Sequence, residues 1–302
     1  MKSQSLSPEK CERVSGPCTN DVVVVYTPDS LLRHPGQVLA EIFRDLWRTR
    51  ELTWILFCRD MKAQFRQSIL GYAWLVAPPL VSAAAWYLLN RSGLMKIDTG
   101  DQPVAQFVVV GTTLWSAFSA VLITPMDAIE NGKPVFTKLN VPIEAFILAA
   151  TGSVVFNLVI SSTVLVALLL AIGVDARITF LLFPFAASSV LAMGFTLGML
   201  LAPLSALYAD VRRAVSAFLG LAMFTVPVIF QVPEDDSGMI AGVIGNNPLT
   251  PAIALSRDAL LTGNLDWLSR TIVWLGACCV LTLASVFVLR IAKPHIITRM
   301  GM

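Results

Sequence analysis

Ionisable side chains are scarce in this sequence, and long stretches have none. Only 14% of the 302 residues are charged and 56% are hydrophobic, whereas an ordinary soluble domain is about a quarter charged. The charges that exist are segregated, so the apolar excess does not belong to one large soluble core, and soluble α/β and all-β folds are excluded. A net charge of +2 and the lack of a long basic run exclude nucleic acid as a partner. The five cysteines form no CxxC pair and lie far from both histidines, which excludes a structural zinc site and a disulfide framework. The first 21 residues are polar and have no apolar core, so no cleaved signal peptide is expected and the chain should keep its N-terminus.

The charge-free stretches lie between Arg66 and Arg91, Asp101 and Asp127, Glu144 and Asp175, Arg177 and Asp210, Arg213 and Glu234, and Arg270 and Arg290. Each is long enough for the roughly 20 apolar residues that a helix needs to cross a bilayer. We therefore expect an all-α polytopic membrane protein with six spans, at about residues 71–90, 104–125, 145–173, 178–207, 214–232 and 270–290. A seventh stretch, 238–264, is broken by Gly238, Gly242, Gly245, Pro248 and Pro251. It reads as a re-entrant or interfacial segment between spans five and six. Six spans put both ends on one side, and about twelve lysines and arginines lie on that side against five on the other. By the positive-inside rule both termini are cytoplasmic.

Residues 1–35 form a polar cytoplasmic tail in which Val22 to Tyr26 reads as a short strand; 36–70 form an amphipathic helix and 71–302 the transmembrane domain. Along the amphipathic helix Trp54, Phe57, Met61 and Phe65 share one face, and Arg59, Lys62 and Arg66 another. That pattern fits a helix lying in the membrane interface, or one packed on the protein's own surface. Ile55, among the basic residues, spoils the separation.

None of the six apolar cores contains Asp, Glu, Lys, Arg or His, so coupling to a proton or sodium gradient has no obvious carrier. No acid/base pair or nucleophile is set up for catalysis, and the acidic cluster Glu234, Asp235 and Asp236 reads as a solvated loop. Gly132-Lys133 lacks the rest of a phosphate-binding loop. The chain is not expected to be an enzyme or to carry a cofactor.

The segment Arg59-Asp60-Met61-Lys62-Ala63-Gln64-Phe65-Arg66-Gln67-Ser68-Ile69-Leu70-Gly71-Tyr72-Ala73-Trp74, followed by Pro78-Pro79-Leu80, resembles the entry of ABC-2-type permeases that export polysaccharides such as O-antigen. Asn247-Pro248-Leu249-Thr250, Arg257 and Leu260-Leu261-Thr262-Gly263 are similar to that family's outer loop, and Lys293-Pro294-His295 to its tail. The likeness covers about residues 35–302. One departure is Tyr208-Ala209-Asp210-Val211-Arg212-Arg213, where many relatives have Tyr-Arg-Asp.

The resemblance implies a homodimer in the bacterial inner membrane, bound to two copies of a separate ATPase that holds ATP and Mg. It implies an undecaprenyl-diphosphate-linked polysaccharide as cargo, with capsule, teichoic acid or a small lipophilic compound as alternatives. A structural or assembly protein is the reading from another class. Arg59, Lys62 and Arg66 become candidates for the lipid diphosphate or for a partner contact. The loop with Glu130, Asn131, Lys133 and Phe136 and the turn with Tyr208, Asp210, Arg212 and Arg213 become candidates for coupling to the ATPase, or are plain solvated loops. Asn247, Pro248 and Arg257 become outer-gate candidates. Trp74, Trp115 and Phe118 are candidates to line a pore, while Trp74, Trp86 and Tyr87 equally fit an interfacial aromatic belt.

Overall fold

The computed structural model describes residues 44, 47–66, 71, 73–93, 102–136, 142–175, 177–231 and 239–300. The expected tail 1–35 with its strand, the segment Gln67 to Leu70 and the acidic cluster Glu234 to Asp236 lie outside the described residues. Nine α-helices carry the fold there: α1 (Arg50–Phe65), α2 (Ala73–Ser92), α3 (Val104–Phe136), α4 (Ile143–Ala171), α5 (Phe183–Leu207), α6 (Ala209–Ala222), α7 (Met239–Asn246), α8 (Leu249–Leu261) and α9 (Leu268–Met300). Short 3₁₀ turns at Ile178–Leu182 and Met223–Thr225 precede α5 and follow α6.

Among the described residues, four helical segments are long and apolar enough to cross a membrane: Val104–Phe136, Ile143–Ala171, Ile178–Leu207 and Leu268–Ala292. These match the second, third, fourth and sixth predicted spans. Helix α2 covers the first, with a shorter apolar stretch at Leu80–Leu89.

The fifth predicted span is different. Residues 214–231 stay α-helical only to Ala222, pass through the 3₁₀ turn and continue without helix. Pro227 explains the stop. Its ring disfavours the helical region for the preceding residue, and Val226 is extended, at φ −124° and ψ 141°. The apolar run is long enough for a span, but only its first part is α-helical.

Helices α3 and α5 form the centre. Two-thirds of the most apolar window of α3 is buried, against 17% for α4 and α9, which lie outside it. Lipid tails are as apolar as leucine, so such helices associate through close backbone approach rather than hydrophobic exclusion. Gly194 and Gly198 of α5 supply it: a Cβ at Gly194 would lie 2.5 Å from Val121 Cγ1, and one at Gly198 would lie 2.4 Å from the Leu122 carbonyl oxygen. Thr196, on the same helix, meets Thr282 of α9 hydroxyl to hydroxyl at 2.6 Å. Gly198→Ala is expected to destabilise the protein by about 1–3 kcal/mol through overpacking against a backbone atom that cannot swing aside. A lowered unfolding temperature in detergent would show it, and an unchanged one would remove this contact from the account.

The predicted re-entrant segment is a pair of short helices, α7 and α8, broken at Asn247-Pro248. Asn247 Oδ1 accepts from the Leu249 N–H at 3.0 Å, and the Thr250 hydroxyl donates to the Ile244 carbonyl at 2.6 Å, which fixes the corner. Helix α8 is buried along almost its whole length, against α3, α5, α9 and the first 3₁₀ turn. It therefore lies within the helical bundle.

Candidate functional site

The charged residues gather at the two ends of α3. At the Phe136 end, Arg212 near the start of α6 faces Asp127 of α3 in a bidentate pair: its Nε donates to Oδ1 and its Nη2 to Oδ2, the latter at 3.0 Å. Hydrogen bonding and charge from Asp127 raise the Arg212 pKa further. Arg212 is thus a fixed cation tying the α5–α6 turn to α3. A second pair joins Arg290 Nε of α9 to Glu144 Oε1 at the start of α4, at 3.0 Å, with both side chains largely covered. Four helices are therefore linked by ion pairs at this end.

Residues predicted to form a loop between spans two and three are the last turns of α3 instead. Glu130 and Asn131 are exposed there and Lys133 is half-buried. Phe136 is buried and meets the Phe146 ring edge-on, at 4.8 Å between centroids and 74° between planes. A Cβ on Gly132 would strike the Phe136 ring at 2.3 Å. Phe136 thus packs the α3–α4 contact rather than facing a partner. Tyr208, exposed and extended at φ −133°, makes the corner between α5 and α6. Asp210 and Arg213 are exposed beside it, with Arg213 Nη1 3.4 Å from the carboxylate.

Helix α1 packs on α4. Leu56 and Met61 are buried, and Phe57 meets the edge of Phe156 with centroids 6.4 Å apart. The apolar side thus rests on the protein's own helices, and the exposed aromatics are Trp54 and Trp47. Arg59, Lys62 and Arg66 are exposed; with Trp54, Ile55 and Cys58 they line an outer groove of about 610 Å³. Lys62 and Arg66 have no ion-pair partner among the described residues. Arg59 pairs with its neighbour Asp60 at 2.8 Å.

Arg59 also reaches a second cavity, a cleft of about 320 Å³ between α1, α3 and α4. Helix α1 contributes Asp60 and Gln64 besides, α3 contributes Asp127 and Asn131, and α4 contributes Phe146 and Ser153.

At the other end of α3 the main feature is Arg257 of α8, 3% exposed. Its Nη2 donates to the carbonyls of Pro227 and Val228 at 2.9 and 3.0 Å, and its guanidinium lies over the Phe107 ring at 3.4 Å. Gly111 leaves the room: a Cβ there would lie 2.2 Å from the Val228 oxygen and 2.8 Å from Arg257 Nη2.

Of the pore candidates, Trp74 is exposed on α2. Trp115 and Phe118 are buried on α3, ring beside ring at 5.3 Å, in the core that α3 and α5 share. Within one chain they are packing residues. Sequence reading missed Asp127, Glu144 and Arg290, which served only as the edges of apolar runs. Their signal was position: each is a single charge at a span's end, where a partner on a neighbouring helix can meet it.

No family model matches the chain. Among curated proteins it is similar to the O-antigen export system permease protein RfbA of Myxococcus xanthus, 26% identical over 201 residues, which is 66% of this chain and 76% of that protein. It is also similar to two proteins of the same name from Klebsiella pneumoniae, 22% and 21% identical over 221 residues, 72% of this chain and 83% of each.

Proposed function

From its likeness to O-antigen export permeases, we propose that this chain is an ABC-2-type permease of the polysaccharide and O-antigen export family, the transmembrane subunit of an ATP-driven exporter. Its cargo is an undecaprenyl-diphosphate-linked surface polysaccharide, moved across the bacterial inner membrane by a homodimer. A separate cytosolic ATPase, in two copies, binds ATP and Mg. The chain passes the membrane six times, through α2, α3, α4, α5 with its 3₁₀ lead, the α6 segment and α9, and both termini are cytoplasmic.

The observation that carries this reading is the ion-paired end of the bundle. Exposed Glu130, Asp210, Arg213 and Tyr208 surround the Asp127–Arg212 pair, so a partner gripping them pulls on α3, α5 and α6 together. No apolar span core carries Asp, Glu, Lys, Arg or His, so mechanical work from a soluble engine fits better than an ion gradient. On the same side Arg59, Lys62 and Arg66 stand in the interface, where cations pair with lipid phosphate. Asn247, Pro248 and Arg257 lie at the opposite, outward end and act as the exit gate.

Co-purification in detergent, followed by reconstitution of permease and ATPase in vesicles, tests this. Export of lipid-linked glycan should require nucleotide hydrolysis and should fall about tenfold or more in the Arg59→Gln, Lys62→Gln, Arg66→Gln triple variant, with assembly intact. Transport on a proton or sodium gradient without any ATPase would overturn the reading. Unchanged export by the triple variant would remove the diphosphate role.

A further inference from the structure

Two cavities flank one arginine, and their chemistry differs. On the outer side of Arg59 the groove adds two cations, Lys62 and Arg66, with the apolar faces of Trp54 and Ile55. On its inner side the cleft adds Asp60, Gln64, Asp127 and Asn131. Lys62 and Arg66 suit a lipid diphosphate, whereas the two inner carboxylates repel one. A cation is not favoured in the cleft either, because Arg59 and Arg212 already neutralise those carboxylates. What remains is a neutral ligand that both donates and accepts hydrogen bonds.

The amides of Gln64 and Asn131 offer both roles and have no hydrogen-bond partner among the described residues. A volume of about 320 Å³ is at the small end of the roughly 300–1,000 Å³ typical of small-ligand sites. It suits one or two sugar rings and not a polymer.

We propose that this cleft is a saccharide subsite that reads the first sugar beside the diphosphate, with Arg59 at the junction of the two groups. The proposal rests on the lipid-linked cargo argued above and adds where recognition of the glycan begins. It gives substrate a direct route to the coupling machinery, since a sugar in the cleft contacts Asp127, whose two oxygens hold Arg212.

The test uses the full chain with its ATPase in lipid nanodiscs, without nucleotide, and two probes: undecaprenyl diphosphate and undecaprenyl-diphosphate-N-acetylglucosamine. The sugar-bearing lipid should bind about tenfold more tightly, an advantage two hydrogen-bonding amides can supply. Gln64→Ala with Asn131→Ala should erase that advantage and leave binding of the bare lipid unchanged. Both side chains are exposed, so folding is not at stake. Lys62→Gln with Arg66→Gln should weaken both lipids alike. Equal binding of the two probes, or an advantage that survives the amide variants, would overturn the subsite while leaving the diphosphate reading in place. Failure of both probes to bind would overturn both.

Discussion

Arg212→Ala should uncouple the exporter without dismantling it. The Asp127–Arg212 pair is a little over one-third exposed on either side chain, so solvent screens it and its loss should cost only about 1 kcal/mol of stability. Its mechanical role is larger than its energy. The pair is the polar tie between α3 and the α5–α6 turn, and without it a push on the turn is no longer handed to α3. Nucleotide-driven export should drop by about tenfold or more, while complex yield and unfolding temperature stay close to the parent's; coupling energies between contacting residues reach the size this requires. Asp127→Ala should do the same. The exchange Asp127→Arg with Arg212→Asp should recover part of the loss, because geometry rather than the order of charges is what the tie needs. Export that persists in both single variants would end this account of coupling.

Arg257→Gln should produce the largest loss of stability. The carbonyls of Pro227 and Val228 belong to a segment that has left the helix. Non-helical backbone is tolerated at membrane depth only where protein or water satisfies it. The buried guanidinium does that, and its other face rests on Phe107. Hydrogen bonds to a charged group contribute about 1.5–3 kcal/mol each, and buried acceptors left without a donor add a desolvation penalty. A loss of about 3 kcal/mol or more follows. Arg257→Lys keeps the charge but lacks the planar group that stacks and bridges, so it should restore less than half. Thermal unfolding of the purified complex in detergent measures both. A glutamine variant as stable as the parent would mean that water already serves those carbonyls.

The helices were readable from the charge-free stretches because hydrocarbon imposes a length and a composition. Orientation around each helix was not. Apolar periodicity does not distinguish a side chain facing lipid from one facing another helix, so Trp115 and Phe118 read as pore candidates although they are core, and Phe136 read as a coupling residue although it packs on Phe146. The α6 segment was legible only as an apolar run. Its run of apolar residues was counted, but the conformational demand of Pro227 on Val226 was not. Arg257 was singled out by motif, but its burial and its carbonyl partners were not legible. The helix break at Asn247-Pro248 was legible, but where α8 goes afterwards depends on tertiary contacts that no local pattern encodes. Ion pairs between distant positions, such as Glu144 with Arg290, are invisible for the same reason.

Helix α3 continues without a break from Phe107 and Gly111, beneath Arg257, to Asp127, which holds Arg212. Between Gly111 and Asp127 lie about 24 Å of hydrogen-bonded coil. Such a rod tilts or slides far more readily than it shortens. On the proposed function, an axial shove at the Asp127 end is carried along α3 to Gly111 beneath Arg257, so that the two ends act as one piston.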